Sequence, residues 1–203
     1  MWKLLKLVKA LYFQCYGFRV LFQKKGASTK VKKIMIIGSG GAGKSTLARQ
    51  LGDILDLEVI HLDALYWHPG WVETPKPEWQ RIIEDLTQRQ SWILDGNYGS
   101  TLDIRLSAAD TVIFLDFPRF LCLLRVIKRR WHYAGKSRPD MSTGCPERLT
   151  WEFVRWIWMY PITRRPVILE KINQLAPNKE VIILREPKEV KHFLQKISSS
   201  FSS

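Results

Sequence analysis

The sequence predicts an α/β protein, a parallel sheet covered by helices on both faces in three layers. Three observations lead there. Five short apolar runs recur along the chain, at 33–37, 58–62, 91–95, 111–115 and 180–184. Helical stretches separate them, and strands joined through helices lie parallel. A glycine-rich loop, Gly38-Ser39-Gly40-Gly41-Ala42-Gly43-Lys44-Ser45, follows the first run and opens a helix.

The first element is Lys33-Ile34-Met35-Ile36-Ile37, a β-branched apolar run that reads as a buried strand. The loop after it fits the phosphate-binding pattern G-x-x-x-x-G-K-[ST]. Backbone N–H groups can wrap a triphosphate only where side chains do not hold the chain away, hence the glycines. The helix from Lys44 to Leu55 carries Leu47, Leu51, Ile54 and Leu55 at helical spacing and offers its unpaired N–H groups to the anion. Gly38, Ser39, Gly40, Gly41, Ala42 and Gly43 are thus expected to cradle a nucleoside triphosphate. Lys44 is expected at the β/γ-phosphates, the Ser45 hydroxyl on Mg²⁺ and Thr46 at the α-phosphate.

The second strand, Glu58 to Leu62, ends at Asp63, the position where open α/β sheets bind ligands. Asp63 is expected to contact Mg²⁺-bound water or an acceptor hydroxyl; capping a helix or turn is the alternative. The stretch from Asp63 to Trp71 is dense in aromatics and turn residues. It reads equally as a wall for a flat or sugar-bearing acceptor and as a cover for the core edge. His61 and His68 read as structural. A helix from Pro77 to about Gln90 turns Trp79, Ile82, Ile83 and Leu86 to one face, and the third strand follows over 91–95. An apolar strand ending in Asp95 is the pattern of a Mg²⁺-organising carboxylate. No Glu follows it, which argues against a dedicated ATPase. A short helix over 101–106 holds Arg105, either a contact for the acceptor's polar end or a solvated arginine.

The fourth strand ends at Asp116, read first as the cap of the helix that follows Pro118 and second as a rival for the metal. That helix runs to about Tyr133. Arg125 and Arg129, spaced i, i+4, form either a phosphate clamp or part of a solvated basic face. The loop over 134–146, rich in Gly, Pro and Ser, is long enough to be functional, and its Arg138 is a further clamp candidate. A helix from Glu147 to Tyr160 aligns Leu149, Phe153, Trp156, Ile157 and Tyr160, a stripe read as core. Another helix over 161–175, the fifth strand and a helix over 187–197 complete the body, with Arg185 placed to flank the adenine and a polar tail over 198–203.

Composition bounds the setting. The 203 residues are 46% apolar, sufficient for one core, and no run approaches a membrane span. Cys15, Cys122 and Cys145 form neither a metal pattern nor a disulfide framework, so a cytoplasmic setting is expected. The net charge is +13, and residues 1–33, with no Asp or Glu, supply +9 of it. Residues 1–22 read as a basic amphipathic helix, with Leu4, Leu5, Val8, Leu11 and Tyr12 on one face. Three readings of it stand open: a peripheral contact with an anionic membrane surface, packing on the body or a partner, and an over-extended start site. The division expected is thus 1–31 as extension and linker, 32–197 as the domain and 198–203 as tail.

From about residue 32 to 197 the chain resembles P-loop kinases of the adenylate kinase type, and more closely the adenylate-kinase-related "DNA topology modulation protein" family. The residues that carry the resemblance are Gly38 to Thr46, Asp63-Ala64-Leu65-Tyr66-Trp67 with Pro69-Gly70-Trp71, Trp92 to Tyr98, and Arg125 with Arg129. It implies strand order 2-3-1-4-5, ATP with Mg²⁺, and a lid around 126–147. One departure stands out: adenylate kinase has Asp-Gly-Phe-Pro-Arg for AMP where this chain has Asp95-Gly96-Asn97-Tyr98-Gly99. The expected activity is transfer of the ATP γ-phosphoryl group to a small acceptor. The alternative, suggested by the family label and the basic N-terminus, is an ATP-dependent protein acting on nucleic acid; the absence of any recognition helix or stacking motif disfavours it. A GTPase is excluded, because Asn178-Lys179 is followed by Glu180-Val181 and lacks the Asp that reads guanine.

Overall fold

The computed structural model describes residues 31–136, 138–176 and 179–201; the amphipathic segment read over residues 1–22 lies outside them. Strand β1 (Lys33–Gly38) is followed by helix α1 (Lys44–Leu55). Then come β2 (Val59–His61), α2 (Leu62–Tyr66), the short strands β3 (Trp67–His68) and β4 (Val72–Glu73), and α3 (Lys76–Gln88). The chain continues through β5 (Trp92–Asp95), α4 (Leu102–Ala108), β6 (Thr111–Leu115) and α5 (Arg119–His132). It closes with α6 (Trp151–Thr163), α7 (Arg165–Leu175), β7 (Glu180–Leu184) and α8 (Pro187–Phe201).

Five of the strands form one parallel sheet in the order β2-β5-β1-β6-β7. Numbered among the sheet strands alone this is 2-3-1-4-5, the expected order. The central strand explains its own composition. Ile34 and Ile36 belong to one apolar cluster, Met35 and Ile37 to the other, and all four are buried. A strand covered on both faces has no polar side to show, so it reads as an unbroken apolar run. Helices α3, α4 and α7 cover one face through Trp79, Ile83, Leu106 and Ile168; α1, α5, α6 and α8 cover the other through Leu51, Val126, Ile157 and Phe193.

Four elements depart from expectation. The second strand is only three residues long, and Leu62 already starts α2, so Asp63 lies in a helix rather than on a loop. The aromatic stretch folds into an antiparallel ribbon, Trp67 opposite Glu73 and His68 opposite Val72, turning at Gly70 (φ 79°) and Trp71 (φ 66°). The helix expected from Glu147 begins at Trp151, where the Thr150 side chain accepts the Phe153 N–H as a cap. It then carries Pro161 within its last turn and ends at Thr163. A proline there removes one helical hydrogen bond but does not break the turns before it. Helix α8 also runs through the serines to Phe201.

Candidate active site

Strands β1, β5 and β6 deliver their carboxyl ends to one edge of the sheet, where a cleft of about 1180 Å³ opens. Its floor is the loop between β1 and α1. Gly41 (φ 77°) and Gly43 (φ 95°) both use the left-handed region. A Cβ on Gly41 would come within 2.3 Å of the Cys122 carbonyl oxygen, so the loop is packed against α5 at a distance only glycine permits. Gly43 caps α1 and offers no side-chain acceptor, which leaves the first N–H groups of the helix facing the cleft. Lys44 folds back over the loop, its Nζ donating to the Ser39 carbonyl at 3.2 Å. Gly40, Gly41, Ala42, Gly43, Lys44, Ser45 and Thr46 all line the cleft; Gly38 and Ser39 lie buried behind it.

Two carboxylates stand near this loop. Asp63, on α2, lines the cleft and accepts a 2.7 Å hydrogen bond from the Tyr98 hydroxyl. Burial raises its pKa above the ordinary carboxylate value, against the lowering pull of Lys44 and of the Tyr98 hydroxyl. The Tyr98 hydroxyl is itself pushed well up, by burial first and then by Asp63, and so stays a donor. Asp95 closes β5 and is 4% exposed. Its Oδ2 lies 2.8 Å from His61 Nδ1, while its Oδ1 is buried with no hydrogen-bond partner. Asp95 sits beneath the cleft rather than in its wall. His61 reaches it because β2 and β5 pair in register, His61 opposite Asp95.

Basic side chains close the far side. Arg125 and Arg129 both line the cleft, as their i, i+4 spacing requires. Arg125 donates to the Ala42 carbonyl at 3.1 Å, with its guanidinium 5.2 Å from the Phe117 ring centre. Arg129 is paired at 2.9 Å with Glu147, and burial lowers its pKa. Arg138 bridges Asp140 and Glu147, both at 2.7 Å. Asp140 also faces Ser45. Burial would raise its carboxyl, but Arg138 and a hydrogen bond from the Ser45 hydroxyl outweigh it and hold the pKa low. The loop between α5 and α6 is thus tied by charge to the phosphate-binding loop. It is tied to the aromatic ribbon as well: Gly70 N–H donates to the Gly144 carbonyl at 3.0 Å, and Trp71 Nε1–H to that of Pro146 at 3.2 Å.

Several expectations change here. Arg105 is neither an acceptor contact nor solvated. It is fully buried and donates to the carbonyls of Gly96 (3.0 Å) and Tyr98, fixing the turn after β5, and burial lowers its pKa to about 10. Asp116 does not cap a helix; it pairs with Arg165 Nε at 2.8 Å. Arg185 is exposed and does not line the cleft, to which α8 presents Pro187, Val190 and Leu194 instead. The aromatic stripe of α6 divides: Ile157 and Tyr160 are buried, while Phe153 and Trp156 line the cleft as a stacked pair. The stretch from Asp63 to Trp71 divides in the same way. Tyr66 packs on Trp79 and Tyr98, and Trp67 and Trp71 meet edge to face at the cleft wall. Sequence reasoning missed the roles of His61, Asp140 and Glu147. Only the strand-end position of His61 gave any signal.

Comparison with known proteins agrees with this architecture. Over 131 residues the chain is 30% identical to the uncharacterized protein YqaC of Bacillus subtilis (strain 168), covering 64% of this chain and 72% of YqaC. It is 33% identical over 132 residues to the shikimate kinase of Baumannia cicadellinicola, covering 58% of this chain and 73% of the enzyme. The shikimate kinase of Histophilus somni is 38% identical over 100 residues, 42% of this chain and 57% of that one. Among solved structures, a shikimate kinase from Acinetobacter baumannii in complex with shikimate shares the fold, with a TM-score of 0.51 and 19% identity over 82% of this chain and 90% of that one. No protein-family model matches the chain.

Proposed function

The chain belongs to the P-loop kinases, and we propose that it transfers the γ-phosphoryl group of ATP to a hydroxyl of a small acceptor. The observation that carries this reading is the position of Asp63. Its carboxylate stands in the same cleft as Lys44, beside the aromatic wall and held by Tyr98. A phosphate cradle alone is compatible with many activities. A cradle facing a carboxylate of raised pKa in a cleft with aromatic walls suits a reaction in which an acceptor hydroxyl must lose a proton.

The residues then take distinct tasks. The N–H groups of Gly41 to Ser45 hold the β- and γ-phosphates, Thr46 meets the α-phosphate, and Lys44 moves from the Ser39 carbonyl to the transferring group. Asp63, ionised, takes the acceptor hydroxyl's proton as the acceptor oxygen bonds to the γ-phosphorus and the bond from that phosphorus to the β-phosphate oxygen breaks, releasing ADP. Arg125 and Arg129 face the charge that develops on the phosphoryl oxygens. The residues present suit Mg²⁺: the Ser45 hydroxyl and the unpartnered Asp95 Oδ1 would hold it. When bound, it neutralises phosphate charge. Among the described residues no group of three His, Cys, Asp or Glu side chains could hold a metal unaided, so its remaining ligands would be nucleotide and water. The turn Asp95-Gly96-Asn97-Tyr98 and the ribbon carrying Trp67 and Trp71 also support the finer placement beside the topology modulation family, still as a kinase.

The test is ADP release with Mg²⁺ and ATP over a panel of acceptors: shikimate, sugar acids, sugars, nucleosides and nucleoside monophosphates. At least one should raise turnover well above the acceptor-free rate, and Lys44→Ala should abolish the increase. Equal rates with every acceptor and without any would reject a kinase.

A further inference from the structure

Helices α5 and α6 each keep an apolar face turned away from the core. On α5 it is Phe120, Leu124, Ile127 and Trp131, spaced four, three and four apart, so all four fall on one narrow stripe. They are 62%, 66%, 41% and 80% exposed. On α6 it is Trp151, Trp158 and Ile162, spaced seven and four apart and 74%, 40% and 61% exposed. The two stripes join where Phe120 meets Trp158 edge to face at 5.3 Å and Arg119 lies 4.3 Å over the Trp158 ring. Contiguous apolar surface beyond a few hundred Å² on a folded domain marks a contact site.

The charge around the stripes selects the occupant. Lys128 and Arg155 are exposed between the apolar residues, Arg130 flanks them, and the only carboxylate on either helix is Glu152. A second copy of the chain would bring the same cations against these, at a net charge of +13 per copy. The segment 1–30, with seven Lys and Arg and no Asp or Glu, meets the same repulsion. The surface that satisfies both the apolar stripes and the cations is anionic outside and apolar beneath. Tryptophan, with an apolar body and one N–H donor, suits that boundary best, and three of the seven side chains are Trp.

We propose that the outward face of α5 and α6 docks on an anionic phospholipid bilayer, with Trp131, Trp151, Leu124 and Ile162 in the acyl boundary and Lys128 and Arg155 at the headgroups. The contact is peripheral, since no described helix is long and apolar enough to cross a membrane. The cleft lies on the opposite side of α5, where Arg125 and Arg129 point, so docking leaves it open.

The experiment is sedimentation of the full chain with phosphatidylcholine vesicles, with and without phosphatidylglycerol, alongside tryptophan emission. The chain should cosediment with the anionic vesicles only and its emission should move to shorter wavelength. The double variant Leu124→Glu/Ile162→Glu should lower the partition coefficient about tenfold or more with an unchanged circular dichroism spectrum. Lys128→Glu/Arg155→Glu should weaken binding more at low salt than at high salt. A full-chain variant with Lys3, Lys6 and Lys9 changed to Glu separates the N-terminal contribution. The proposal falls if the native chain fails to bind. It falls equally if Leu124→Glu/Ile162→Glu binds as the native chain does while the N-terminal variant does not. A dimer in sedimentation velocity that this double variant dissociates would assign the face to a second copy instead.

Discussion

Asp63 and Asp95 are carboxylates placed within one site under opposite constraints. Asp95 is buried with a histidine on one oxygen, whereas Asp63 is open to the cleft, with a tyrosine hydroxyl on one oxygen and a pKa raised by burial. A base of this kind acts only when ionised. Activity should therefore fall as pH drops through the raised Asp63 pKa, giving kcat/KM an acid limb above the ordinary carboxylate range. Asp63→Asn should lower kcat by about 10²- to 10⁴-fold and remove that limb. The linkage has the opposite sign for stability. A carboxyl of raised pKa binds its proton more tightly in the folded state, so its favourable contribution exists at low pH and is lost as pH rises through the folded value. Asp63→Asn should then be as stable as the native chain or more so near neutral pH, by up to about 1 kcal/mol in urea unfolding. A variant both inactive and strongly destabilised would mark Asp63 as structural. Nothing local in the sequence distinguishes these environments, since each aspartate simply follows an apolar strand. The distinction arises from Tyr98 and His61, 35 and 34 residues away in the chain.

At the scale of elements, the loop between α5 and α6 is held by one carboxylate shared between two guanidiniums. Glu147 is 4% exposed and lies between Arg129 and Arg138, with Asp140 pairing the latter. Removing the charge leaves two half-buried cations beside each other with Asp140 left to offset them, the costly way to break such a pair. Glu147→Gln should lower stability by about 3 kcal/mol. It should also speed proteolytic cleavage within 134–146, and ATP should restore protection only in part. Equal cleavage of variant and native chain would show that the network does not hold the loop. Arg105 does comparable work for the turn after β5. Arg105→Met leaves the Gly96 and Tyr98 carbonyls without their donor and should cost about 2 kcal/mol in thermal unfolding. Neither network was legible in the sequence. An arginine on a short helix and a glutamate after a Gly/Pro-rich loop look like surface residues until the chain is folded. The late start of α6 has the same origin: Glu147 is committed to an ion pair and Thr150 supplies the cap, so the helix begins after both.

For the molecule as a whole, what the sequence conveys best is what repeats. The five sheet strands and the phosphate loop were legible because a buried parallel strand is an apolar run and a phosphate cradle demands glycine at fixed spacing. The two-residue strands β3 and β4 are too short to set a period, so the ribbon that walls the cleft was not. The same repetition predicts how the protein unfolds. Alternate residues of β1 enter opposite cores, Ile34 and Ile36 beside Leu51, and Met35 and Ile37 in the cluster of Ile83. Neither helical layer can detach without exposing one side of this strand, which couples the layers into one cooperative unit. Leu51→Ala and Ile83→Ala remove fully buried side chains from opposite faces, and each should cost about 2–4 kcal/mol. The two residues sit in separate clusters, so in the double variant the losses should add to within about 0.5 kcal/mol. All three variants should show one urea transition with the native slope, by circular dichroism and tryptophan emission alike. A second transition in either single variant would mean that the layers fold independently and that β1 does not join them.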